Sequence, residues 1–146
     1  MASDAVTLIM SDHRVMEQLF DRLRAGSGDR QALLDEIAAR LTAHSHAEEQ
    51  RVYPSLPADL AHHGADEHHL AERLLHDLQR MGPQDEAFGD RLDDFIATVA
   101  HHVEEEESTV LPALRDAVGD ARLIELGAAF EQVRLEELAV AGISVS

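Results

Sequence analysis

Apolar residues recur along the chain every three or four positions, and no stretch keeps a two-residue alternation rich in β-branched side chains. That period fits helix. Gly, Pro and Asp gather at "AGSGD" (25–29), "YPSLPADLAHHGAD" (53–66), "MGP" (81–83) and "AVGD" (117–120), and these clusters cut the periodic runs. The segments between them cover about 4–24, 29–53, 66–81, 85–111 and 120–139. Four long helices with short connections predict an all-α, up-down-up-down antiparallel four-helix bundle with an extra, shorter C-terminal helix.

The predicted inward faces are not purely apolar. On the first helix Ile9, His13, Met16, Phe20 and Leu23 fall on one face at about 100° per residue. On the second, Leu33, Ile37 and Leu41 run on into His44 and Glu48. On the fourth, Phe95 and Val99 run on into His102 and Glu106, then Val110. On the third, Leu70, Leu74, Leu78 and Met81 define the inward face, with His68 at one edge and Glu67 near the middle. His69 and His76 point outward, and His46, Glu49, His101 and Glu104 project away from the stripes as solvated groups.

Two correspondences organise these positions. "HSHAEEQRVYPSL" from His44 and "HVEEEESTVLPAL" from His102 share H-x-x-x-E-E-x-x-V-[Y/L]-P-x-L. "DHRVMEQLFDRL" (12–23) and "EHHLAERLLHDL" (67–78) pair His13 with His68. The chain therefore reads as two copies of one helical hairpin related by a pseudo-twofold. Each copy carries a His on its first helix and a His-x-x-x-Glu on its second.

Burying an unpaired carboxylate costs several kcal/mol, and two together cost more. Metal ions remove that cost, and an i, i+4 spacing lets one helix offer both ligands to one centre. His13, His44, Glu48, His68, His102 and Glu106 are thus the expected ligands of a dinuclear site bridged by Glu48 and Glu106. Asp12 and Glu67, each just before a proposed ligand, are expected to accept hydrogen bonds from ligands or to sit as helix-end residues. Imidazole and carboxylate without thiolate suit iron better than copper(I), with zinc and manganese left open.

Composition narrows the rest. At 146 residues the chain is the length of one domain, 1–146, with the motifs in 4–115 and a C-terminal helix and tail in 116–146. With no cysteine, disulfides, thiolate zinc and iron–sulfur clusters drop out. The net charge of −17 and the lack of a basic stripe argue against nucleic acid and against an anionic membrane surface. They favour a small neutral substrate or attraction of cations. The N-terminus has no basic region before an apolar run, so a cytoplasmic location is expected.

At His13 in "DHR", His44 and Glu48 before "VYP", His68 in "DEHH", and His102 and Glu106 before "VLP", the sequence resembles the hemerythrin-like, or HHE cation-binding, family. The resemblance implies a four-helix bundle holding two iron ions, oxo- or hydroxo-bridged. Oxygen-carrying hemerythrins have a further His four residues on from the third-helix His; here that residue is Glu72, read as a surface group like its counterpart Glu17. Tyr53, the single tyrosine, is a candidate for the vacant role. Core packing, a relay beside the metals and a phenolate ligand are all open to it, and Pro54 is expected to turn it out of helical geometry.

The resemblance implies oxygen binding, sensing, or chemistry on peroxide or nitric oxide. A more anionic donor set lowers a metal's reduction potential and favours a ferric resting state. The expectation is therefore catalase- or peroxidase-like action on hydrogen peroxide, with nitric oxide as a second substrate. Reversible oxygen binding, oxygen or iron storage, and sensing form the alternative. The stripe Leu123, Leu126, Phe130 and Val133 is a candidate partner surface, for a monomer or weak dimer through the C-terminal helix.

Overall fold

Two aspartates start the first hairpin. Asp4 accepts a hydrogen bond from the Thr7 N–H at 2.8 Å and Asp29 from the Ala32 N–H at 3.1 Å, filling donors that a helix start leaves open. In the computed structural model, which describes residues 2–144, α1 runs over Ala5–Arg24 and α2 over Arg30–Ala47. Gly26 and Gly28 turn the chain between them at positive φ. The second hairpin is α3, Ala58–Arg80, and α4, Phe88–Glu105. α5, Leu111–Val140, breaks at Gly119, where φ of 77° and ψ of 170° are left to glycine. The predicted all-α bundle with an added C-terminal helix is what the chain forms, and no strand occurs among the described residues.

Helix α3 departs from expectation twice. It begins at Ala58 rather than near 66, because "AHHGAD" is helical despite Gly64. Its buried face is Gly64, His68, Ala71, Leu75 and Leu78, while Leu70 is exposed and Leu74 is half-buried. The leucines misplace the face by one position. The correct face is the one obtained by aligning α3 on α1, which sets Ala71 against Met16 and Leu75 against Phe20. Helix α4 also starts later than expected, at Phe88.

The core divides into two apolar layers. One holds Met16, Phe20, Leu34, Ile37, Leu75 and Phe95. The other holds Ile9, Ala47, Tyr53, Leu111, Leu123 and Phe130. Along each of α1 to α4 the inward polar residues fall between these layers, so apolar packing shields the site on both sides. The α5 stripe Leu123, Leu126, Phe130 and Val133 is spent inside the second layer, against Ala5 and Ile9, and is not a free surface for a partner.

Candidate metal centre

Each His-x-x-x-Glu pair ends where its helix changes pitch. A π-helical turn covers Glu48–Val52 and another Glu106–Val110, each followed at once by the Tyr-Pro or Leu-Pro of the repeat. Pro54 and Pro112 have no N–H to give and their rings crowd the carbonyl four residues back. The backbone upstream widens, and the residue before each proline donates instead five residues back: Tyr53 N–H to the Glu48 carbonyl, Leu111 N–H to the Glu106 carbonyl. An i→i+5 closure stacks Tyr53 over Glu48, where an α-helix would turn it away. Tyr53 itself keeps helical torsions, φ −60° and ψ −30°, so the wide turn, not an extended residue before proline, aims it inward.

The six expected residues converge. Glu48 Oε1 lies 3.1 Å from the Nε2 atoms of both His44 and His68. Glu106 reaches His13 Nε2 at 3.1 Å through Oε1 and His102 Nε2 at 3.4 Å through Oε2. Each carboxylate therefore serves its own helix and the first helix of a hairpin. Donor atoms fall into two groups that could hold a cation, His13, His44 and Glu106, and Glu48, His68, His102 and Glu106, with Glu106 common to both. Glu72 belongs to neither.

Five of these buried atoms, the Nε2 of His13, His44 and His102, Glu48 Oε2 and Glu106 Oε1, have no hydrogen-bond partner. Orphaned polar atoms in a sealed site are costly, and here all are lone-pair donors aimed at one place. That is a good fit to metal ions.

The other ring nitrogen of every histidine is engaged. His44 Nδ1 donates to Asp12 at 2.7 Å, His68 Nδ1 to Glu49 at 2.8 Å, His102 Nδ1 to Glu67 at 2.7 Å and His13 Nδ1 to Glu107 at 2.7 Å. A carboxylate accepts, so Nδ1 carries the hydrogen and Nε2 faces the interior. The partners form a closed ring: α1 supplies the acceptor for α2, the turn after α2 for α3, α3 for α4, and the turn after α4 for α1. Asp12 and Glu67 take the acceptor role expected of them. Glu49, expected as a solvated group, is instead a full member, and so is Glu107. Both are the second Glu of the repeated E-E, and the repetition of that pair was the signal available. His46, His101 and Glu104 are exposed as expected.

The site is strongly polarised. Burial works against charge on His44, yet the Glu48 carboxylate and the Asp12 hydrogen bond hold its pKa well above the ordinary imidazole value. Against the same opposition, His68 is raised by Glu48 and Glu49, and His102 to about 9 by Glu106. Burial would raise Glu106, but His102 and His13 hold it well below the usual carboxylate range. The carboxylates thus favour the protonated form of His44, His68 and His102.

Tyr53 reaches the same cluster. Its hydroxyl donates to Glu106 Oε2 at 2.8 Å and lies 3.3 Å from His68 Nε2 and 3.4 Å from Glu48 Oε1. Its ring stacks on His68, with centroids 5.5 Å apart and planes 10° from parallel. Burial first, then the charges of Glu48 and Glu106, push the phenol pKa far up. Alone it remains a neutral donor. α5 closes the opposite side: the Phe130 ring meets His44 edge-on at 5.5 Å, and Arg134 lies 3.4 Å from Asp12.

Comparison with known proteins agrees with this geometry. A crystal structure of a hemerythrin HHE cation binding domain-containing protein from Mycobacterium kansasii superposes with a TM-score of 0.80 at 29% identity, over 96% of this chain and 94% of that one. Among curated relatives, a DNA nickase of a Nostoc species is 30% identical over 75% of this chain, which spans 33% of its length. An uncharacterised hemerythrin-like protein of Schizosaccharomyces pombe is 24% identical over 86% of this chain, which spans 66% of its length. The family model described as the hemerythrin HHE cation binding domain matches residues 4–114, and the chain belongs to that family.

Proposed function

We propose that this chain is a non-heme di-iron protein that acts on hydrogen peroxide in a catalase- or peroxidase-like way, with nitric oxide as a second substrate. His13, His44, Glu48, His68, His102 and Glu106 would hold the metals, and Tyr53 would stand where oxygen carriers have their fifth imidazole. The observation that carries the reading is the Tyr53 hydroxyl among Glu48, Glu106 and His68. A phenol there would replace a neutral ligand by an ionisable one and add to the two carboxylates Glu48 and Glu106. Such a donor set disfavours the reduced resting state that reversible oxygen carriage needs.

The bound irons would supply Lewis-acid polarisation and the redox equivalents for peroxide. The chain's own share is positioning and proton handling. The four Nδ1–carboxylate bonds fix the rings, so that each Nε2 points inward before any substrate arrives. The Tyr53 O–H on Glu106 is the proton closest to the reacting space. Access suits small neutral molecules. A cavity of about 320 Å³ between α1 and α4 reaches His13, lined by Met16, Phe20, Ile96, Val99 and Val103 together with the charged Arg14, Glu17, Asp21, Glu104 and Glu107. Peroxide disproportionation balances unaided, two peroxides giving two waters and one dioxygen, and so needs no outside electron donor.

The test starts from anaerobically reduced, iron-loaded protein. Oxygen is added, the visible spectrum recorded, and oxygen stripped away. Irreversible conversion to a ferric centre, followed by peroxide turnover, is the expected result. A spectrum that returns to its starting trace identifies an oxygen carrier or sensor instead.

A further inference from the structure

Two further His-x-x-x-Glu pairs start from histidines outside the buried centre. His63 and Glu67 lie one turn apart on α3, His101 and Glu105 one turn apart on α4, and the two pairs face each other across the α3/α4 seam. His63 Nε2 stands 2.9 Å from Glu105 Oε1 and 3.4 Å from Glu67 Oε2. His101 Nε2 stands 3.3 Å from Glu105 Oε2 and 3.9 Å from Glu67 Oε2. We propose that His63, Glu67 and Glu105, with His101 beside them on the other Glu105 oxygen, form a second, peripheral cation site that takes a divalent first-row transition-metal ion.

The 2.9 and 3.4 Å separations of His63 Nε2 from Glu105 Oε1 and Glu67 Oε2 are those of neighbouring ligands around one ion with bonds of about 2.1 Å, whose edges run about 3.4 Å in a tetrahedral site. Simple ion pairing accounts for the arrangement less well. His63 Nε2 has at most one hydrogen and is approached by two carboxylates. Exposed His–Glu pairs also contribute too little to draw four side chains together.

Glu67 is in addition fixed from behind. Its Oε1 accepts from His102 Nδ1 at 2.7 Å, so Oε2 is held toward the seam rather than free to swing into solvent. An imidazole with two carboxylates, and a second imidazole beside them, favours zinc, cobalt, nickel or ferrous iron over magnesium and calcium, which prefer oxygen donors. The net charge of −17 draws cations to the surface, and the imidazole nitrogen gives this spot its selectivity. With His63 and His101 54% and 72% exposed, an ion can enter without opening the bundle.

The probe is Zn2+, titrated calorimetrically into iron-loaded protein in excess Mg2+, for the parent chain and for His63→Ala/His101→Ala. Iron is counted before and after. The parent is expected to take about one Zn2+ per chain and the variant to bind it at least about tenfold more weakly, with equal iron content and helicity. Equal Zn2+ affinity in both proteins overturns the site. Zn2+ binding abolished by Mg2+ marks a diffuse acidic surface, and Zn2+ uptake matched by iron release places the ion in the buried centre; either also overturns it. The site does not depend on the di-iron reading. If the buried centre takes no iron, the metal-free variant is still expected to bind about one Zn2+ fewer than the metal-free parent.

Discussion

Tyr53 is held by three neighbours that can be varied separately. Its hydroxyl is on Glu106, its face on His68, and its edge against Gly64, where an added Cβ would meet the ring and hydroxyl at 2.7–2.8 Å. Tyr53→Phe keeps the stacking and removes one hydrogen bond, a loss of about 1 kcal/mol. Gly64→Ala inserts a methyl group where the phenol stands, and the tip of the tyrosine must give way, although the helix gains about 1 kcal/mol from losing glycine. For iron-loaded protein, Tyr53→Phe is expected to abolish a tyrosinate absorption band and Gly64→Ala to shift or weaken it, with both proteins folded. A Tyr53→Phe spectrum that matches the parent would remove Tyr53 from the donor set. At this scale the sequence showed the candidate but not its direction, because the inward aim depends on a π turn that helical periodicity does not register.

At the scale of elements, periodicity placed α1, α2 and α4 well, since large apolar residues mark the inward face of each on the helical period. It failed on α3, where glycine looked like a turn and the leucines outvoted a face made of Gly64, His68 and Ala71. Small residues carry little hydrophobic signal, yet here they leave room for Tyr53 and the ligands. The C-terminal helix was legible as a helix but not in its use. Gly127 shows what that use is: an added Cβ there would lie 2.7 Å from the Ser3 carbonyl oxygen and 2.9 Å from the Ala5 nitrogen. α5 is therefore pressed against the backbone entering α1, only two turns before His13. Because backbone cannot yield as a side-chain tip can, Gly127→Ala is expected to destabilise the protein by about 1–3 kcal/mol in denaturant unfolding. An unchanged midpoint would mean that the contact with α1 is loose.

Over the whole molecule the repeat makes one structure of the centre. Each of α1 to α4 supplies an inward histidine, and each, or the turn after it, orients the histidine of a neighbour, so the ring of carboxylates closes only when all four helices are in place. The six inward residues could be read from sequence because burial of charge is conspicuous on an apolar stripe. Glu49 and Glu107 were harder, because a half-exposed acid beside a buried one looks like surface. The centre should then act as a fastener for the fold. Glu48 is fully buried and Glu106 nearly so, and they draw His44 and His102 toward the protonated form. A ligand that binds only the folded chain stabilises it by about 4 kcal/mol at a thousandfold excess over its dissociation constant. In a chain of this length that corresponds to a melting temperature higher by on the order of 10 °C. Exhaustive chelation is therefore expected to lower the melting temperature by about that much while far-ultraviolet dichroism at room temperature still reports helix, with recovery when iron is restored. Identical melting before and after chelation would mean that the bundle stands without cations and that its buried carboxylates are balanced by protons alone.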